Sequence, residues 1–310
     1  MAGITIRSEI VFEGYGLHTG CKTRCILKPS YEEGIFFKRV DIKDSRLIKV
    51  DPDNIIDNKR NTILGLDSNN LVYTIEHFLS AFWAWGINSL IVEVDSPELP
   101  ILDGSSLPIY KKIEETGVYK YSDNYNDILF IQEEIVYDDG FSYIKVEPYN
   151  EFEVTLEIEY PQDIIGKQKC FFSERKNNYK QSVAPARTFV LLSEIIYLID
   201  NKLIKGGSID SAVIVKDIQL SEEQKRKISE YFNLDLNYLN EIDSYSKLYL
   251  SKEKNLRIEN ELCVHKLLDF IGDLYLINKK IKGKFYVYRP GHKSNVEFAK
   301  LIKRKQKGGK

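Results

Sequence analysis

The sequence predicts a mixed α and β protein in two halves, and three observations carry that prediction. Its 310 residues correspond to about two domains at roughly 150 residues each. Runs that alternate apolar and polar residues, closed by turn residues, occur in both halves and read as strands. Between them lie apolar segments of helical length that stop at glycine or at polar turns. The composition is globular: 43% of residues are hydrophobic, 29% are charged and the formal net charge is -2. Such a balance excludes a disordered chain and one that coats nucleic acid, so phosphate recognition must be local and no nucleic-acid partner is expected. The N-terminal stretch is interrupted by Arg7, Glu9 and Glu13, unlike a signal peptide. No stretch approaches the ~18 apolar residues of a membrane span. Cys21, Cys25, Cys170 and Cys263 form no C-x-x-C pair, so a reducing, cytoplasmic setting is expected.

Taken in order, a strand from Ile4 to Phe12 runs into the turn Gly14-Tyr15-Gly16-Leu17-His18-Thr19-Gly20, whose glycines permit geometries that bring His18 close to other groups. A helix is predicted from Thr74 to Trp85, stopped by Gly86 and followed by the strand Ser89 to Val94. Another helix spans Leu107 to Thr116, and the polar run Tyr121 to Asp127 is the expected linker. Domains are therefore expected at 1–120 and 128–310, with 121–127 between them. The clean alternation of Phe152 to Tyr160 predicts a strand of an antiparallel sheet with one wet face. Helices follow at Leu191 to Asn201 and Ile258 to Leu276, and Lys216 to Arg257 reads as a mostly helical surface insertion. The strand Gly283 to Tyr288 ends in the turn Arg289-Pro290-Gly291-His292, and the basic tail from Lys300 reads as a frayed, solvated terminus.

The chain owns four histidines, His18, His77, His265 and His292. His265, Asp269 and Asp273 are spaced four apart, which drifts only about 40° per step along one face of a helix. Taken alone, such a trio is more often a solvated polar face than a metal site. Glu76 and His77 lie in an otherwise apolar helix, where a carboxylate and an imidazole are costly unless paired or liganded; an exposed polar stripe fits equally well. His292, beside Arg289 on a turn, suits acid catalysis or phosphate contact as well as a plain turn.

The order of these motifs resembles the zinc-dependent UDP-3-O-acyl-N-acetylglucosamine deacetylases of lipid A synthesis, the LpxC family. The matching runs are Gly14 to Gly20, Thr74-Ile75-Glu76-His77, Glu93 to Asp95 through Pro100 to Ser105, Ala186-Arg187-Thr188-Phe189, Gly206-Gly207-Ser208 through Ala212, His265-Lys266 through Asp269, Gly272-Asp273-Leu274 and Gly291-His292. They use all four histidines and span nearly the whole chain. The resemblance implies an α+β fold of two domains with similar topology, each a small β-sheet backed by helices, with the helices packed between the two sheets. It also implies one catalytic Zn2+, with Fe2+ as a substitute, held by His77, His265 and Asp269. Three nitrogen and oxygen ligands with an open position agree with a catalytic rather than structural zinc.

In that family pattern Glu76 is the general base, Thr188 steadies the oxyanion, and His292, kept cationic by Asp273, gives the amine its proton. Lys266 and Arg289 match basic contacts to sugar and diphosphate, and Tyr160 an aromatic face for the base. Phe189, Leu17, Gly207 and Ala212 match walls of the site, and Ile164 to Arg187 is expected beside the passage for the acyl chain. The implied partner is an acylated UDP-amino-sugar substrate, bound by a monomer. Val264 stands where the family usually carries Arg, and Glu147 where a basic residue is expected. The alternatives are a zinc deacetylase of another N-acylated amino sugar, a non-haem iron oxygenase built on the same two histidines and carboxylate, and a homologue that only binds.

Overall fold

The computed structural model describes residues 3–121, 128–201, 203, 205–208, 211–237, 239–240, 249–250 and 255–308. Two five-stranded sheets repeat one plan. The first has the order Ile10–Tyr15, Lys22–Pro29, Ser89–Val94, Gly34–Arg39, Ile48–Lys49. Its one parallel pair joins Gly34–Arg39 to Ser89–Val94. The second has the order Ile135–Asp138, Tyr143–Glu147, Lys280–Tyr288, Phe152–Glu159, Lys167–Ser173, and along this path its one parallel pair joins Phe152–Glu159 to Lys280–Tyr288. A short sixth strand, Ile128–Phe130, runs parallel to the first residues of Lys280–Tyr288.

Chain order is also repeated. In each half four strands are followed by an insertion, a helix, a strand that enters the middle of the sheet, and a second helix. The first half has α1 (Glu76–Trp85) and α2 (Leu107–Thr116). Its insertion is the three-stranded sheet Ile55–Asp57, Ile63–Gly65, Leu71–Val72. The second insertion holds α3 (Tyr179–Ser182), α4 (Leu192–Asp200) and α5 (Glu222–Phe232) with the strands Phe189–Leu191, Val213–Val215 and Tyr249–Leu250. After it come α6 (Glu261–Leu274) and α7 (His292–Gly308).

Apolar faces bring α1 and α6 together between the sheets. Phe78 of α1 meets Phe12 of the first sheet edge-on at 5.3 Å, and Trp83 meets Phe152 of the second at 4.9 Å. Phe270 of α6 packs 5.8 Å from Phe285. The helices touch at Gly272, where an added Cβ would lie 2.1 Å from the Glu76 carbonyl oxygen, so only glycine allows this crossing. The second insertion buries its own small cluster, Leu192, Ile195, Ile214, Leu220, Ile228 and Leu239. No helix among the described residues is long and apolar enough to cross a membrane.

Several expectations are corrected. The strand predicted from Ile4 to Phe12 is two strands, Ile4–Ile6 and Ile10–Tyr15, broken at the polar Arg7-Ser8-Glu9. Phe152–Glu159 has a parallel neighbour and a polar face that is largely covered, only Glu159 being exposed: Glu153 and Glu157 are 6% and 8% exposed, covered by Lys176, Lys167 and Lys169, which pair with them. Long lysine stems cover a strand face while their charged heads reach water. His292 is the first residue of a helix rather than part of a loop, and the basic tail continues that helix to Gly308. Its Ile302 is buried, and Lys303 pairs with Asp51 and with Asp53 at 2.7 Å. The stretch Lys216 to Arg257 contains α5 and the strand Tyr249–Leu250, while most of the rest after 240, like residues 122–127 of the expected linker, lies outside the described residues.

Candidate active site

A cavity of about 380 Å³ opens beside α1 and α6, against the second insertion. Glu76 and His77 stand at its wall because they open α1. Thr74, just before them, has a left-handed φ of 61°; its hydroxyl donates to Glu98 at 2.8 Å and accepts from Asn61 at 2.8 Å. Free N–H groups at a helix start favour a carboxylate, and Glu76 Oε2 also accepts from Thr62 N at 3.1 Å. Burial pushes the Glu76 carboxyl up to about 8, against the pull of His292.

The four-residue spacing of α6 places His265, Asp269 and Asp273 on one face, and that face is buried rather than solvated. The rings of His77 and His265 meet edge-on with centroids 5.2 Å apart. Asp269 Oδ1 lies 3.3 Å from His265 Nε2 and 3.7 Å from His77 Nε2. His265 Nδ1 lies 3.1 Å from the carbonyl of Ala186. A carbonyl only accepts, so the proton sits on Nδ1 and the Nε2 lone pair faces Asp269. Burial lowers His77 to about 3 and His265 to about 4, which leaves both neutral and able to donate a lone pair. Burial opposes the charge on Asp269, yet the basic groups around it, His265 and Lys266 foremost, hold it well below the usual carboxylate range.

Asp269 Oδ2 accepts from Lys266 Nζ at 2.9 Å. Its Oδ1 is buried and has no hydrogen-bond partner. Such an orphaned oxygen is costly. Here it faces two imidazole nitrogens, and the three ligand atoms lie within 4.8 Å of one another. Two neutral histidines and a carboxylate in this arrangement are able to hold a metal ion, and an ion would satisfy the orphan.

His292, at the start of α7, gives its Nδ1 proton to Asp273 Oδ2 at 2.9 Å. Its Nε2 is 3.8 Å from Glu76 Oε1 and 4.0 Å from Asp269 Oδ2. Asp273 also accepts from Thr62 Oγ1 at 2.5 Å and Asn295 Nδ2 at 2.9 Å. Burial alone would lower His292, but Asp273 and then Glu76 outweigh it and raise the imidazole to about 9. It is an imidazolium at neutral pH.

Leu17, Thr188, Phe189, Ala212 and Lys266 line the cavity, together with His18, Arg60, Glu194 and Tyr197. Lys266 is engaged with Asp269 and sits over the Phe189 ring at 5.7 Å. Tyr160 lies one layer out, its ring 5.8 Å from Phe189. Gly207 and Arg289 are not in the wall; the Arg289 guanidinium stacks 3.9 Å from the centre of the Phe141 ring. Apolar residues of the cavity wall are Phe189, Val190, Leu198 and Leu203, with Leu17, Ile101 and Ala212, and among the described residues none of Ile164 to Arg187 lines it. Val264 is buried in α6, and Glu147 pairs with Lys145 at 2.6 Å on the second sheet. Sequence reasoning passes over Thr62 and Asn295. Asn295 does carry a signal, three residues after His292 on one helix face, once His292 is known to be helical; Thr62, from the first insertion, carries none.

A family profile described as UDP-3-O-acyl N-acetylglycosamine deacetylase matches residues 4–232 and 244–304. The chain is 34% identical over 303 residues to a UDP-3-O-acyl-N-acetylglucosamine deacetylase of Helicobacter pylori, covering 97% of this chain and 91% of the relative. A protein of the same name from Syntrophus aciditrophicus is 31% identical over 303 residues, with 97% and 86% covered. The bifunctional enzyme LpxC/FabZ of Porphyromonas gingivalis is 33% identical over 306 residues; the match covers 98% of this chain but 64% of that relative's length.

Proposed function

Because the chain belongs to the UDP-3-O-acyl N-acetylglycosamine deacetylase family, we propose that it hydrolyses the N-acetyl group of a UDP-linked, 3-O-acylated N-acetylglucosamine. The products are the free amine and acetate, and the step belongs to lipid A biosynthesis. One observation carries the proposal: the unpartnered Asp269 Oδ1 faces His77 and His265, with the buried Glu76 carboxyl and the buried His292 imidazole on the same cavity.

His77, His265 and Asp269 would hold a zinc ion, with Fe2+ as a substitute. When bound, zinc supplies a water that is acidic near neutral pH and a positive charge for the oxyanion. Glu76 accepts the proton of the attacking water. Its ionised form is needed for that step, and the N–H groups at the start of α1 with Thr62 N steady that form. Thr188 borders the cavity, and its hydroxyl is assigned to the oxyanion. His292 delivers a proton to the departing amine nitrogen; Asp273 keeps that proton available by holding the ring in one orientation with Nδ1–H engaged. Phe189, Val190, Leu198 and Leu203 form an apolar wall of the kind an acyl chain takes.

The test compares acetate release from UDP-3-O-(3-hydroxyacyl)-N-acetylglucosamine with release from the sugar nucleotide lacking the acyl chain. Strong preference for the acylated compound is expected. Equal or faster turnover of the non-acylated compound would assign the chain to another N-acylated amino sugar.

A further inference from the structure

Two buried charges take no part in the chemistry above. The side chains of Arg187 and Glu261 are 2% and 0% exposed. Glu261 Oε1 accepts from Arg187 N at 3.0 Å and Nε at 2.7 Å. Its Oε2 accepts from Arg187 Nη2 at 3.0 Å and from Arg257 N at 2.7 Å. Removing two such charges from water is costly enough that well-packed apolar residues in their place are often equally stable. Stability alone therefore accounts poorly for the pair.

Position accounts for it better. Glu261 is the first residue of α6, one turn before His265. Arg187 stands between Ala186, whose carbonyl receives the His265 Nδ1 proton, and Thr188, which lines the cavity and is fixed by Thr188 N donating to Gly104 O at 2.7 Å. A planar two-bonded fork thus joins the start of the ligand-bearing helix to the segment that orients one ligand. We infer that Arg187 and Glu261 are positioning residues. They hold the Ala186 carbonyl against His265, which sets that histidine's tautomer and ring orientation as a ligand, and they place Thr188 at the cavity. They touch no substrate. The inference rests on the metal reading of the site, and it demands the guanidinium fork rather than a positive charge alone.

Two variants test it: Arg187→Lys, which keeps the charge and loses the fork, and the double variant Arg187→Met with Glu261→Leu, which removes both charges of the pair together. Zinc affinity is read by chelator competition and ligand geometry by the visible spectrum of the Co2+-loaded protein. Loss of a partner that orients a metal-bound histidine typically weakens metal binding by ~10–100-fold. Such a loss is expected in both variants, with an altered cobalt spectrum, a lower kcat, an unchanged KM, and a cooperative thermal transition kept in the double variant. Wild-type zinc affinity and cobalt spectrum in either folded variant would overturn the role of the pair and leave the metal reading standing. A double variant that does not fold would also overturn it, since the pair would then serve the fold. Absence of tight zinc binding by the unaltered protein would instead overturn the metal reading, and the inference with it.

Discussion

The two halves of the molecule share strand order, a parallel pair at the same place and an insertion at the same point, yet they equip the site unequally. In the first half the groups assigned to the proposed chemistry, Glu76 and His77, stand at the start of the first helix. In the second they lie along the middle of the first helix, as His265 and Asp269, and at the start of the second, as His292. The corresponding approach to α2 holds Asp103 and Ser105, and Asp103 accepts from Arg257 at 2.7 Å. The same backbone plan thus carries a group of the proposed chemistry at one helix start and a structural clamp at the other. A repeated plan supplies a scaffold; the site exists only where the two copies cross at Gly272.

That division can be broken from either side. Glu76→Ala in the first half and His292→Ala in the second should each lower kcat by roughly 10²- to 10⁴-fold, the range for losing a general acid or base, while zinc stays bound. Steady-state turnover near wild type in either variant would remove that residue from its role. At the crossing itself, Gly272→Ala forces backbone apart and should cost about 1–3 kcal/mol or more of stability, read by denaturant unfolding. An unchanged midpoint would mean that the helices yield without cost.

A smaller effect sharpens the account of the second half. Activity should fall on the acid side as Glu76 takes up a proton, and on the alkaline side as His292 loses its own near about 9. Asp273 raises His292, so Asp273→Asn must move the alkaline limb to lower pH; an unmoved limb would assign it to another group. The smallest effect belongs to the tie between halves. Lys303→Ala removes partly exposed ion pairs to Asp51 and Asp53 and should cost about 0.2–1 kcal/mol with kcat unchanged.

The helices at Glu76 and Leu107 and the strand Ser89–Val94 were legible because each has a clean period and a clear stop. The buried face of His265, Asp269 and Asp273 was legible as one face, but spacing alone could not say whether that face was wet. The order of motifs resolved what spacing could not. Long-range packing hid the rest. Glu157 is dry because lysines of the next strand cover it and Glu153 because Lys176, in the turn after that strand, does, and Thr62 reaches the site only because the first insertion folds back over α1. His292 read as a turn because Pro290 and Gly291 mark a boundary on either side of which a helix can begin. The tail read as frayed because Lys303 and Lys305 find their partners, Asp51 and Asp53 for the first and Glu133 for the second, far away in the sequence.

The central claim, that His77, His265 and Asp269 hold the ion on which deacetylation depends, is tested most directly by acetate release before chelation, after chelation and after zinc is returned. Activity lost and then restored is the predicted result. Undiminished release from metal-stripped protein would contradict it.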